Sequence, residues 1–155
     1  MTADWTAGSN VHGTAIVVGT TGLIFLGPSG AGKSALAFDC MAEARLAGDF
    51  AALISDDQVF VSRHGTNVLA RRPEPIRGLL ELRHAGIVRV ENVPRALLHY
   101  AILLGQDGER LPPEHETATL TAEITLPALR MPTGARMPFA FIKALIATEV
   151  ATRPT

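Results

Sequence analysis

The sequence contains few of the residues on which several classes of protein depend. Cys40 is the only cysteine among 155 residues, which excludes a disulfide within the chain. Its place on the apolar face of a predicted helix indicates a buried thiol. Lysine and arginine form no cluster, and we interpret the lone pair Arg71-Arg72 as a solvated turn. With a formal net charge of -1, the chain is not expected to bind nucleic acid.

Long apolar runs and metal-site patterns are also absent. The longest apolar stretch, residues 15–26, is interrupted by Gly19-Thr20-Thr21-Gly22 and is too short to span a bilayer. The first ten residues lack the basic and apolar regions of a signal peptide. The five histidines show no metal-ligand spacing; we expect His64 in a turn and His99 in a structural role. These features predict one soluble, cytoplasmic domain over residues 1–155, with no membrane partner.

One octapeptide carries most of the functional information. It has the pattern G-x-x-x-x-G-K-S of a phosphate-binding loop, whose glycines let backbone N–H groups turn towards a polyphosphate. Its lysine supplies a positive charge for the β- and γ-phosphates, and its serine hydroxyl can ligate Mg²⁺. Residues 23–26 predict a strand before the loop, and residues 34–47 predict a helix after it, whose N-terminus favours anions. The loop residues are Gly27, Pro28, Ser29, Gly30, Ala31, Gly32, Lys33 and Ser34.

The rest of the chain predicts mostly strands. Because strands and helices do not alternate regularly, we predict an α/β P-loop nucleotide-binding domain with a strand-rich mixed sheet. Turns are expected at 19–22 and 63–66, and the polar segment 105–116 is expected to be a surface loop. Strands are predicted over 11–18, 51–55, 58–62, 67–70, 87–90, 96–104 and 118–126, and helices over 76–83 and 138–150.

Two acids and one arginine are candidates for phosphoryl-transfer chemistry. Asp56-Asp57 follows a predicted strand, at the sheet edge where ligands bind. Phosphoryl transfer needs a cation holder and a base, and this pair can divide those roles or form a solvated acidic turn. Arg110 lies in the polar loop, where an arginine is solvated or stabilises transferring charge. Glu81, among leucines, has by pattern alone the character of a helix-surface residue.

These motifs, in this order, resemble the catalytic domain of HPr kinase/phosphorylase. The resemblance begins at Val11-His12-Gly13 and continues through the phosphate loop to Ser55-Asp56-Asp57. Its most specific element is the segment Leu80–Ile87, which is similar to the family's signature E-I-R-G-L-G-I. Glu109-Arg110-Leu111 is similar to a later arginine motif, so the resemblance covers about residues 10–149.

The resemblance implies a function and a set of roles. A family enzyme uses ATP and Mg²⁺ to phosphorylate a serine of the phosphocarrier protein HPr, and it reverses this by phosphorolysis. The fold is expected to be similar to that of phosphoenolpyruvate carboxykinase, and a homo-oligomer, by resemblance a hexamer, is expected. Implied roles are phosphate binding by Lys33, Mg²⁺ binding by Ser34 and Glu81, proton acceptance by Asp57, support of metal or nucleophile by Asp56, and active-site positions for His12 and Arg110.

Three departures qualify the resemblance. The chain looks like the short form of the family, without the N-terminal domain. Ala35 replaces the acid that often follows the loop serine. The family's late P-V-x-x-G-R segment, linked to dephosphorylation, appears here as Pro132-Thr133-Gly134-Ala135-Arg136-Met137, out of register, so we expect weak or absent phosphorylase activity. The alternatives are a nucleotide sensor without transfer activity and a small-molecule kinase of similar fold.

Overall fold

The computed structural model describes residues 8–105, 108 and 110–152. Within these residues the chain forms twelve strands, two α-helices and one 3₁₀ turn over Glu74–Ile76. The strands are β1 (Ser9–His12), β2 (Thr14–Val18), β3 (Thr21–Leu26), β4 (Ala51–Ser55), β5 (Gln58–His64), β6 (Asn67–Arg71), β7 (Leu79–Leu82), β8 (Gly86–Arg89), β9 (Arg95–Leu98), β10 (Tyr100–Leu104), β11 (Thr117–Thr121) and β12 (Ile124–Met131). The helices are α1 (Lys33–Leu46) and α2 (Pro138–Thr152).

A mixed six-stranded sheet organises the fold. Its strand order is β11-β12-β10-β3-β2-β4. β10 pairs in parallel with both β3 and β12, and the other pairs are antiparallel. Alternate residues of its strands face opposite sides: Ile16 packs towards α1, and Ala15 packs towards the second sheet. The predicted strand-rich mixed sheet is therefore confirmed.

The second sheet gives the molecule three layers. Its order is β1-β5-β6-β9, and it covers the side of the large sheet that faces away from α1 and α2. One core cluster lies between the helices and the six-stranded sheet, and another lies between the two sheets. Cys40, on α1, is fully buried in the first of these, as predicted.

The strand predicted over residues 11–18 is interrupted at Gly13. β1 ends at His12 and belongs to the four-stranded sheet, whereas β2 begins at Thr14 in the six-stranded sheet. A Cβ atom at position 13 would lie 2.9 Å from the carbonyl oxygen of Phe25, so only glycine allows this crossing. The break leaves His12 at the junction of the two sheets.

A similar break divides the strand predicted over residues 96–104. β9 pairs in the four-stranded sheet, β10 pairs in the six-stranded sheet, and His99 lies between them. The N–H of Gly22 donates to His99 Nδ1 at 2.9 Å, and the N–H of His99 donates to the Gly22 carbonyl at 2.8 Å. These two hydrogen bonds attach His99 to β3 at the point where the chain passes from one sheet to the other, in agreement with its predicted structural role.

The helix predicted over residues 76–83 is wrong. The 3₁₀ turn is followed by Gly78 and then by β7, which forms a two-stranded hairpin with β8. Leu80 is buried and Leu82 is half-buried against the helix-side core, an alternation of period two. Three leucines in four positions fit a helix face or a strand equally well, and the pairing with β8 decides between them.

Other boundaries differ in smaller ways. The strand predicted over 118–126 is interrupted after Thr121, and β11 and β12 form an antiparallel hairpin instead. His64 ends β5 rather than lying in the turn. Arg72 is buried, with only 8% exposure, and donates to the Asn92 side-chain oxygen, which corrects the expected solvated turn. The remaining predicted strands, and the helices predicted over residues 34–47 and 138–150, agree with the structure to within a few residues.

Candidate active site

The phosphate loop joins β3 to α1, as the motif requires. Lys33 is the first residue of α1, and Gly32 before it adopts φ 95°, in the left-handed region that favours glycine. The Lys33 side chain is only 8% exposed, and its Nζ donates to the carbonyl oxygens of Gly27 at 2.9 Å and Pro28 at 3.1 Å. The loop's own carbonyls thus hold the ammonium group beside the N-terminus of α1.

Asp56 lies at the centre of a hydrogen-bond network directly below the loop. Its Oδ1 accepts hydrogen bonds from Ser34 Oγ at 2.7 Å and from Thr14 Oγ1 at 2.8 Å. Its Oδ2 accepts one from the backbone N–H of Glu81 at 3.0 Å. Asp56 is 8% exposed, and its buried carboxylate is satisfied by these hydrogen bonds. They connect the end of β4 to β2, α1 and β7.

Asp57 has a different environment from its neighbour. Its side chain is 67% exposed, and its Oδ1 lies 3.0 Å from Nδ1 of His12. Its backbone is in the left-handed region at φ 70°, which turns the chain between β4 and β5. The N–H of Gly13 donates to the Asp57 carbonyl at 3.2 Å, which holds this turn beside the break between β1 and β2.

Glu81 reaches the site from the β7–β8 hairpin. It lies between Leu80 and Leu82, which face the core, so its side chain is on the opposite, exposed side. The hairpin's base is attached to β4: the N–H of Leu53 donates to the Glu91 carbonyl, and the N–H of Val93 donates to the Leu53 carbonyl, both at 2.9 Å. β4, the strand that precedes Asp56, is therefore also hydrogen-bonded to the base of the β7–β8 hairpin.

Arg83, within the signature-like segment Leu80–Ile87, has no role predicted from the sequence. Arg83 follows β7 and its guanidinium lies against the phosphate loop. A Cβ atom placed at Gly30 would lie 2.6 Å from Arg83 Nη1. This cation next to a loop glycine is a second positive group facing the phosphate-binding region, and the E-x-R spacing in Leu80–Ile87 was the available signal.

These groups line one open cleft of about 440 Å³. Arg110 is exposed and is not among the described residues that line it, and the same holds for exposed Arg136, between β12 and α2. The loop residues Gly27, Pro28 and Ala31 are not among the described residues that line the cleft. The cleft is lined by His12, Thr14, Ser29, Gly30, Gly32, Lys33, Ser34, Ala35, Asp56, Asp57, Glu81 and Arg83.

The oxygen donors of the cleft fit Mg²⁺. This cation favours a site of one or two protein oxygens completed by phosphates and water. Ser34 and Glu81 offer a hydroxyl and a carboxylate, while Asp56 already accepts three hydrogen bonds from the protein. Among the described residues no group of three His, Cys, Asp or Glu side chains forms a self-contained metal site.

Comparison with family models shows the protein family to which the chain belongs. The model of the HPr Serine kinase C-terminal domain matches residues 4–94, more than half of the chain. The chain belongs to this family. The match includes the phosphate loop, the Asp56-Asp57 turn and the β7–β8 hairpin.

Curated relatives of this family share about a third of the aligned residues. The HPr kinase/phosphorylase of Mycoplasmopsis pulmonis is 34% identical over 83 residues, covering 54% of this chain and 25% of that protein. That of Halalkalibacterium halodurans is 36% identical over 81 residues, covering 52% of this chain and 24% of that protein. The matched part of this chain thus spans about a quarter of each relative's length.

A solved structure shows the same fold. The Hpr(Ser) kinase/phosphatase from Coxiella burnetii superposes with a TM-score of 0.72 at 18% identity, covering 92% of this chain and 97% of that one. The three-layer, strand-rich arrangement is therefore that of an HPr kinase. Neither α1 nor α2, nor any other described helix, is long and apolar enough to cross a membrane.

Proposed function

We propose that this chain is an ATP-dependent protein serine kinase that phosphorylates an HPr-like phosphocarrier protein. The observation that carries the proposal is the arrangement of two adjacent acids on one cleft. Asp56 is buried and bonded to the loop serine, whereas Asp57 is exposed beside His12. Family membership supports the same reading. A nucleotide sensor requires the phosphate loop but does not require the exposed carboxylate of Asp57 in the cleft.

The loop and its cations bind the phosphates of ATP. Backbone N–H groups at the N-terminus of α1 face the polyphosphate, and Lys33 exchanges its bonds to the loop carbonyls for phosphate oxygens. Arg83 approaches the same region from the hairpin and adds positive charge. Ser34 and Glu81 hold Mg²⁺, which neutralises negative charge on the phosphates when bound.

Asp57 accepts the proton of the substrate serine. Its exposed carboxylate is free to meet the hydroxyl of an incoming protein, whereas Asp56 is occupied by protein donors. The proton passes to Asp57 as the serine oxygen attacks the γ-phosphorus and ADP leaves. His12 Nδ1, 3.0 Å from Asp57 Oδ1, orients the carboxylate for this step.

The decisive experiment is transfer of label. Purified chain, γ-labelled ATP, Mg²⁺ and an HPr protein from a related bacterium are incubated, and the modified residue is identified by mass spectrometry. We expect label on one serine of HPr, and none when that serine is replaced by alanine. Lys33→Ala abolishes transfer, while Lys143→Ala, at the only other lysine of the sequence, does not. Nucleotide binding without transfer favours the sensor, and label on small molecules alone favours a small-molecule kinase.

Weak or absent phosphorylase activity and a homo-oligomer remain part of the proposal. Phosphorolysis has to hold inorganic phosphate in line with phosphoserine, which requires additional donors. Arg136, in the out-of-register segment, is exposed and does not line the cleft in the described structure. Serine-phosphorylated HPr with excess phosphate and no ATP tests the reverse reaction, and a reverse rate equal to the forward rate contradicts the expectation. Light scattering measures the oligomer.

A further inference from the structure

Thr14 is a completely buried threonine at the floor of the cleft. Its exposure is 0%, and it begins β2, between Gly13 and a run of apolar residues. Valine has nearly the same shape and suits a buried strand at least as well, so packing does not account for the hydroxyl. That hydroxyl donates a 2.8 Å hydrogen bond to Asp56 Oδ1.

Two hydroxyl groups converge on the same carboxylate oxygen. Asp56 Oδ1 receives both Thr14 Oγ1 and Ser34 Oγ, and Oδ2 receives the Glu81 N–H. The bonds from Thr14 and Glu81 come from strands and hold both oxygens of the carboxylate in place. Ser34 has a single hydroxyl proton, so donating it to Asp56 leaves its oxygen lone pairs for another partner.

We infer that Thr14 is a positioning residue for the cation site of the proposed kinase. By fixing Asp56, it keeps the Ser34 proton directed towards the carboxylate and the Ser34 lone pairs available to Mg²⁺. The inference rests on the proposed function for the role of that cation. Thr14 acts only through Asp56 and Ser34, as partners behind metal ligands commonly do.

The test compares Thr14→Val, which removes the hydroxyl and keeps the shape, with Thr14→Ser, which keeps the hydroxyl. Binding of a fluorescent ATP analogue is measured in EDTA and across a Mg²⁺ titration. We expect Thr14→Val to leave affinity in EDTA unchanged, since Lys33 and the loop are intact. The Mg²⁺ concentration for half-maximal enhancement rises about tenfold or more. Thr14→Ser restores a value close to that of the wild type.

Ser55→Ala is the matched control. Ser55 is 1% exposed and adjoins Asp56, but its hydroxyl donates to the Gln58 carbonyl and not to Asp56. We expect this variant to lower the melting temperature without changing the Mg²⁺ requirement. If Ser55→Ala raises the requirement as much as Thr14→Val, general loosening explains the effect and the inference is overturned.

Two further outcomes overturn the inference: an unchanged Mg²⁺ requirement in Thr14→Val, or a Thr14→Ser variant as impaired as Thr14→Val. If Thr14→Val does not fold, Thr14→Ala takes its place in the same comparison. The assay contains no HPr, so it is independent of transfer. If the wild-type protein does not phosphorylate HPr but Thr14→Val still raises the Mg²⁺ requirement for nucleotide binding, the proposed substrate is wrong and the role of Thr14 stands. If the nucleotide affinity of the wild-type protein does not change with Mg²⁺ concentration, the role of Thr14 is overturned.

Discussion

Ser34 and Asp56 lie 22 residues apart in the sequence, and a 2.7 Å hydrogen bond joins Ser34 Oγ to Asp56 Oδ1. The bond connects the first turn of α1 to the end of β4, so the phosphate loop and the acidic turn form one unit. Asp57 follows directly and projects into solvent beside His12. Adjacent acids thus receive separate environments, one buried within the protein and one open to a partner, which allows separate roles.

Replacing Asp57 by asparagine distinguishes a kinase from a sensor. The amide keeps the size and polarity of the side chain but cannot accept the serine proton as a carboxylate does. We expect nucleotide affinity to persist and transfer to HPr to fall by about 10²–10⁴-fold. Asp49→Asn, an exposed position after α1, serves as the control and leaves transfer unchanged. Undiminished transfer in Asp57→Asn points to a different base.

Arg83→Ala tests the cation beside Gly30. Loss of a guanidinium that faces phosphates removes charge-assisted hydrogen bonds, and we expect about a tenfold weaker ATP affinity. Arg89→Ala, exposed on the same hairpin but outside the cleft lining of the described structure, keeps wild-type affinity. Calorimetry of both variants and of Arg110→Ala ranks the three arginines. An Arg110→Ala variant that binds ATP more weakly than Arg83→Ala contradicts the ranking.

Glu43 of α1 caps the N-terminus of α2. Its carboxylate accepts hydrogen bonds from the backbone N–H groups of Phe139 at 2.9 Å and Ala140 at 2.8 Å. Glu43→Ala leaves both donors unpaired, and we expect the free energy of unfolding to fall by about 1–2 kcal/mol. Urea denaturation measures it. Glu91→Ala is the comparison: Glu91 is 62% exposed and 3.8 Å from Arg45, so its loss costs less than about 1 kcal/mol. Equal losses in the two variants contradict the capping role.

The buried thiol of Cys40 makes the free energy of unfolding depend on pH in the alkaline range. Burial, followed by the charges of Glu43 and Asp39, raises the pKa of its thiol above the ordinary value of 9.0. The folded protein therefore keeps this proton at pH values where the unfolded chain releases it, so stability falls as pH rises through 9. The loss amounts to about 1.4 kcal/mol per pH unit. Cys40→Ala lacks this component, and the difference in slope between the two proteins above pH 9 isolates it. Parallel slopes contradict the prediction.

Local patterns predicted much of the fold and the candidate site. The phosphate loop, α1 and the Asp56-Asp57 turn each occupy a short contiguous segment, so their residue types and spacing are informative without knowledge of the rest. Strand pairing is different, because it joins distant segments. The breaks at Gly13 and His99 fall within segments predicted as single strands, because the local pattern does not show that the two halves of each segment pair in different sheets.

The sequence by itself determined that this protein has a phosphate loop followed by a helix, a following pair of acids and a family-like signature. Tertiary structure decided which groups meet. It placed Thr14 and the Glu81 N–H on Asp56, Arg83 beside Gly30, and exposed Arg110 outside the cleft lining among described residues. These contacts join residues from different strands, helices and turns. Their geometry depends on the packing of two sheets and a hairpin around α1, which no local pattern contains.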